Sequence, residues 1–327
     1  MLITANYHYI RHSFDLPYPS ICGVTPDQFK KQLIILSRFG AFIHPLQLKE
    51  AIEQGTSIPS HSLFVTFDDG LREQYELALP ILDELGIPAL FFVITGVLSE
   101  KKVSPVHKIH LLRSVIPPGV LLARIVSYAE AIGGIAPLTK EEEERAMFHY
   151  DYEPPDVARL KYVLNFKCAS AAHQQIIDRI FQEHFDEKKV YTELYMNEAQ
   201  LADLAHRHFL GSHGYEHVPH ASLSDEALRS SLHKSFSYFS RIPYTPFAIS
   251  YPYGSREACG GNLSRFARDA GFVYGFTMEK AGADSFKNPL LLPRFDCIDL
   301  PGGKNNTFGD APLFSSVQPA SWFDGHS

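Results

Sequence analysis

Short apolar runs alternating with helical periods restrict this chain's fold more than any other feature. SLFVTF at 62–67 and PALFFVIT at 88–95 are apolar on both faces, as strands must be when helices cover a parallel sheet on both sides. Between them the helical period from about Arg72 to Leu85 is stopped by Gly86 and Pro88. Before them, ITANYHYI reads as a first strand. Thr25-Pro26 then reads as an N-cap with proline in the first turn, and Phe29, Leu33 and Leu36 recur at helical spacing. LQLKEAIEQG adds a second helical stretch. The rhythm resumes near Arg207 with HFLGSH, a helix opened by Ser224, PFAISYPYG, NLSRFARDAG, FVYGFTM and LLLPRFD. The expected fold is α/β, a (β/α) barrel of seven or eight strands spanning 1–302.

Residues 101–191 break the pattern. They are polar, carry the charge run Glu141 to Arg145, and have few strand-like runs, so they read as a mostly helical subdomain inserted in the barrel. After Pro301 no period remains, and 303–327 is expected to be a C-terminal extension or flexible tail. Net charge is −7 with no concentrated basic surface, which excludes a general nucleic-acid binder. The start, MLITANYHYIRHSF, has no signal-peptide pattern, and no segment has the length and apolarity of a membrane span. A cytoplasmic location with no transmembrane segment is therefore expected. Cys22, Cys168, Cys259 and Cys297 form no CxxC pair and are expected to be reduced thiols in or near the core.

The strand ends carry the chemistry. FVTFDDGLRE places Asp68 and Asp69 directly after an apolar strand. Asp-Gly is a common turn dipeptide, so a turn is one reading; a metal or acid/base site is the other, because adjacent carboxylates there need a compensating cation. GSHGYEHVPH separates His213 from His217 by four residues, a spacing that can aim two imidazoles at one point, although sixteen histidines make chance pairs common. Pro252-Tyr253-Gly254 and Arg294-Phe295-Asp296 also follow strands. In a barrel, all four groups would lie on the face formed by the C-terminal strand ends, where active sites sit.

TFDDG at 66–70, the HxxxH at 213–217 and YPYG at 251–254, in that order, resemble the first three motifs of the NodB-homology polysaccharide deacetylases, carbohydrate esterase family 4. YHYI, TPDQFKKQLIIL and ELALPILDELGIPALFFV resemble the flanks of the first motif. The resemblance covers 1–100 and about 194–300, and it implies a distorted (β/α) barrel. It also implies Asp68 as general base, with Asp69, His213 and His217 as ligands of a divalent metal. That metal is expected to be Zn2+, with Co2+, Ni2+ or Fe2+ as alternatives. The turn of Tyr251, Pro252 and Tyr253 would line the sugar pocket and supply an oxyanion N–H.

The chain departs from the family at three places. Ser250 stands where the third motif begins with arginine, GFVYGFTMEK lacks the fourth motif's aspartates, and Leu292-Pro293-Arg294 replaces the last motif's Leu-x-His. Arginine cannot donate a proton at neutral pH. Arg294 is therefore read either as the cation that positions Asp68, with Asp296 as its own partner, or as half of a rim salt bridge. His8, at the end of the first strand, is the candidate acid, with His220 behind it. The expected activity is metal-dependent removal of an N-acetyl group from an amino sugar of a glycan or glycan precursor. Hydrolysis of another small amide, such as deformylation, and an inactive sugar-binding barrel remain open.

Overall fold

The computed structural model describes residues 1–14, 23–130, 134, 137–150, 153–167 and 171–323. Two compact units divide the chain: residues 1–12, 22–102 and 192–327 form one, and 13–21 and 103–191 the other.

The first unit is built on eight strands: β1 (Leu2–Tyr7), β2 (Ala41–Phe42), β3 (Ser62–Phe67), β4 (Leu90–Val93), β5 (Leu210–Ser212), β6 (Ala248–Ser250), β7 (Tyr274–Phe276) and β8 (Phe295–Asp296). Their order is β7-β6-β5-β4-β3-β1-β8, with β2 also on β3, and every pairing is parallel. Helices over Pro26–Leu36, Pro45–Gln54, Leu79–Leu85, Asp225–Tyr238 and Leu263–Ala270 fall between strands, as the alternation required. The result is the expected α/β fold, a distorted parallel barrel. Leu292 bridges Phe276 while Phe295 and Asp296 pair with β1, so the segment around Pro293 reaches both ends of the sheet.

Burial explains the strands. All six residues of β1 and all six of β3 are buried, and side chains alternate between two environments. Tyr7 and Phe67 stack and meet Phe29 of the covering helix, so the odd-numbered positions face outward to helices. Phe64 lies instead against Phe276, and Phe276 against Phe92, filling the barrel interior. Gly211 lets β5 approach that layer, because a Cβ there would stand 2.5 Å from the Phe92 ring. Above the aromatic layer the inward positions turn polar: Asn6, Thr66 and Ser250 are all buried.

Helix starts follow the local chemistry. Thr25 and Gln28 form a capping box with Pro26 in the first turn. The period read from Arg72 to Leu85 is not one α-helix: Gln74–Ala78 is a π-turn, with the Leu79 N–H bonded to the Gln74 carbonyl, and α-helix begins at Leu79. Pro80 has no N–H to give Glu76, which accounts for the wider turn ahead of it. The last twenty residues described do not trail loose. Leu313, Val317 and Phe323 are buried and Pro319 bridges Gly282, because loss of period signals irregular backbone rather than loss of packing. Cys259 and Cys297 are buried thiols outside any disulfide; Cys22 and Cys168 lie outside the described residues.

The second unit is helical, with helices over Pro105–Val115, Pro118–Glu130, Lys140–His149, Pro155–Tyr162 and Ala171–Gln182, and no strand among its described residues. Leu112, Leu121, Ile125, Leu160, Ile180 and Phe181 form its buried apolar side. Among the described residues of the whole chain, no helix is long and apolar enough to cross a membrane.

Candidate metal centre and its carboxylate

β3 and β5 end side by side across β4, and their next residues converge. Asp69 Oδ1 lies 3.6 Å from His213 Nε2 and 3.5 Å from His217 Nε2, and one ligand atom from each residue falls within 4.8 Å of the other two. Asp69 holds a left-handed backbone, φ 80°, followed by Gly70 at φ 71°, where a Cβ would meet Val93 at 2.8 Å. Positive φ is uncommon for a non-glycine residue and typical of functional turns. The turn and the site are therefore the same feature.

A hard carboxylate oxygen and two imidazole nitrogens, nearly enclosed, suit a first-row divalent ion and leave further positions open. His213 is buried, which holds its imidazole below the ordinary histidine range although Asp68 and Asp69 pull the other way, so it stays neutral with a lone pair to offer. The donor set fits a divalent metal.

Asp68 is a different kind of carboxylate. It is buried beside Arg294, the largest fully buried side chain described. Arg294 Nη1 and Nη2 donate to Asp68 Oδ1 and Oδ2, both at 2.9 Å, in a two-pronged pair. Ser250 Oγ donates to Oδ1 at 2.7 Å and Asn6 Nδ2 to Oδ2 at 3.0 Å. Burial alone would raise this carboxyl, but the Arg294 guanidinium, with His213 and His8 nearby, holds it well below the usual carboxylate range. Asp68 is thus ionised and held by four donors rather than free.

Arg294 also donates to Asn6 Oδ1, Thr66 Oγ1 and the Thr277 carbonyl. It sits inside the barrel, not in a salt bridge on its rim. The partner expected for it, Asp296, is engaged elsewhere: its Oδ1 accepts from the Ile298 N–H and caps the short turn that follows β8. That local bond outcompetes the longer reach.

The remaining candidates separate by exposure. His8 follows β1 with Nε2 3.9 Å from Asp68 Oδ2, and its side chain is 37% exposed, which places it on the solvent side of the carboxylate. His220 is buried and both ring nitrogens lack a hydrogen-bond partner; burial pushes it down to about 4, so it is neutral and closed off. Tyr253, at φ 62°, presents a 49% exposed ring 5.1 Å from that of His217. Pro252 is buried beside it. Tyr251, expected to line the same pocket, turns away: it is buried, its hydroxyl donates to the Leu290 carbonyl, and its N–H bonds the Phe276 carbonyl.

Sequence reasoning missed Asn6 and Gln74. Gln74 is fully buried, and its Nε2 donates to the Asp68 carbonyl at 2.6 Å and the His8 carbonyl at 2.9 Å, tying the ends of β3 and β1 together. The available signal was a polar amide inside an apolar strand, LITANY, and another in the turn before ELALPIL.

The class defined by this geometry is a parallel (β/α) barrel with an Asp-His-His cluster and a buried carboxylate at the C-terminal ends of its strands. Residues 56–116, which include Asp68 and Asp69, match the family model "Polysaccharide deacetylase". The fold is similar to that of the Streptococcus pyogenes deacetylase PplD solved with acetate, at 18% identity over 97% of this chain and 98% of that one, TM-score 0.51. It is also similar to IcaB from Ammonifex degensii, at 16% identity over 90% and 91%, TM-score 0.51. A de-N-acetylase from Aggregatibacter actinomycetemcomitans matches at 10% identity over 94% and 98%, TM-score 0.53. At these identities the likeness is one of fold. No curated protein matches the chain. The sequence match falls on the segment that carries Asp68 and Asp69, and the likeness of fold extends over the rest of the chain.

Proposed function

We propose that this protein is a metal-dependent hydrolase that removes the N-acetyl group from an amino sugar of a glycan or glycan precursor. The observation that carries the reading is the Asp69-His213-His217 cluster with ionised Asp68 beside it, His213 Nδ1 standing 3.9 Å from Asp68 Oδ1. Asp69, His213 and His217 would hold a divalent ion, with zinc the expected one, which would supply Lewis acidity toward the amide carbonyl and water. The chain's own residues do the rest. Asp68, locked in orientation by Arg294, accepts the proton of the attacking water. His8, on the solvent side of Asp68, then delivers that proton to the departing amine. Water adds its oxygen to the acyl carbon, the C–N bond breaks, and the products are acetate and a free amine. Tyr253 offers an exposed ring beside His217 against which a sugar face can stack.

The four donors on Asp68 favour a second reading, a barrel that binds acylated sugar without hydrolysing it. The two are separated by metal content and by acetate release from N-acetylated oligosaccharides after zinc or cobalt loading. Deacetylation predicts acetate release that Asp68→Asn removes while the metal stays bound. Metal binding without acetate release would leave the binding reading, and hydrolysis that survives Asp68→Asn would remove Asp68 as base.

A further inference from the structure

Ser250 is the last residue of β6, the strand beside β5, and is fully buried. Its hydroxyl lies 2.7 Å from Asp68 Oδ1 and 2.6 Å from His213 Nδ1. The direction of both hydrogen bonds follows from proton counting. Arg294 donates to both oxygens of Asp68 and Asn6 to Oδ2, so the carboxylate is the acceptor in this network and the single hydroxyl proton of Ser250 is spent on Oδ1. Ser250 Oγ must then accept from His213, which puts the imidazole proton on Nδ1. A second atom gives the same answer: the Ser250 carbonyl, an acceptor only, lies 3.1 Å from His213 Nδ1. With Nδ1 protonated, the lone pair is on Nε2, the nitrogen that faces Asp69.

We infer that Ser250 is a positioning residue that fixes the ligand tautomer of His213 and links it, through one hydroxyl, to Asp68. The inference rests on the deacetylase reading only where turnover is concerned. An arginine at position 250 could donate to Asp68 but could not accept from His213. Here Arg294, just ahead of β8, supplies the charge to Asp68, which leaves position 250 for a group that both donates and accepts. The outer partner of a ligating histidine sets its tautomer and its basicity, and losing such a partner typically costs affinity or rate. Because the same hydroxyl holds Asp68 Oδ1, movement of the histidine and of the carboxylate is coupled.

The test uses the full chain with Ser250→Ala and with Ser250→Thr, which keeps the hydroxyl. Nitrogen-15 histidine NMR of metal-free wild type should find His213 protonated on Nδ1. Zinc competition against a chelator and kcat on an N-acetylated chitooligosaccharide should each fall about 10- to 100-fold in Ser250→Ala, with KM little changed, and recover in Ser250→Thr. Thermal melting of both variants guards against reading misfolding as function. A His213 proton on Nε2 in wild type would overturn the inference. So would a Ser250→Ala protein with unchanged zinc affinity and kcat, or equal losses in both variants, which would mean packing rather than the hydroxyl matters. If wild type releases no acetate, the deacetylase reading fails, while the tautomer and the zinc affinity still decide the role of Ser250.

Discussion

Arg294 and Lys108 are both long cations withdrawn from water, one in each unit of the chain, and they keep different company. Arg294 pairs with Asp68, and the two side chains are 0% and 3% exposed. Lys108, 4% exposed, pairs with Asp178 and Glu187 at 2.7 Å each, but those carboxylates are 45% and 22% exposed. When both partners are buried, neither can turn to water if the other is lost. When the carboxylates lie at the surface, they rehydrate. The first pair is therefore committed to its geometry, as a site requires, and the second behaves like a surface pair with one end tucked in.

Arg294→Met should give the largest effect. It leaves a buried carboxylate uncompensated and should cost about 3–5 kcal/mol in denaturant unfolding of the metal-free protein. Asp68 then gains a proton and loses its orientation, so acetate release should fall with it. A loss under about 1 kcal/mol would erase the contrast with Lys108.

Asp68→Asn should cut acetate release by at least about 100-fold while zinc stays bound, because Asp69, His213 and His217 are untouched. Its stability cost should be smaller than that of Arg294→Met, since Asn6 Oδ1, Thr66 Oγ1 and the Thr277 carbonyl still accept from the guanidinium. The two losses should not add. In the double variant the interaction term should be about 1–3 kcal/mol, measured as a double-mutant cycle.

Acid sharpens the same point. The folded-state pKa of Asp68 is depressed, so its contribution is present above the ordinary carboxylate pKa of about 4 and is lost as pH falls below it. Wild type should therefore lose stability relative to Asp68→Asn only on acidification from about pH 4 downward, read by unfolding at stepped pH. A difference that disappears between pH 5 and 7 instead would mean the carboxyl is not held low.

What could be read from sequence was whatever residue type and order express. The βα rhythm, the carboxylates after SLFVTF and the histidines after HFLGSH are local facts, and the fold brought the last two together at 3.5 and 3.6 Å. What could not be read depended on which inward faces meet. Asn6, Thr66, Ser250 and Arg294 come from four separate segments and surround one carboxylate only because β1, β3 and β6 present alternate residues to the same interior. Nothing local distinguishes Ser250 from a small residue filling a strand, nor predicts that Asp296 will cap its own turn rather than reach Arg294. β2, two residues long, leaves no period to find.

Lys108→Met should give the smallest effect and is the sharper test for that reason. Lys108 Nζ lies 5.4 Å from the centre of the Phe181 ring, so a methionine thioether has apolar surface to occupy. Glu187 retains the Val103 N–H, and Asp178 is open to water. The expected loss is within about 1 kcal/mol, measured by the same denaturant unfolding, and it should shrink in high salt as Asp178 and Glu187 are screened from each other. A loss as large as that of Arg294→Met would mean that burial of the cation alone sets the cost, and that the exposure of its partners, on which the comparison turns, does not matter.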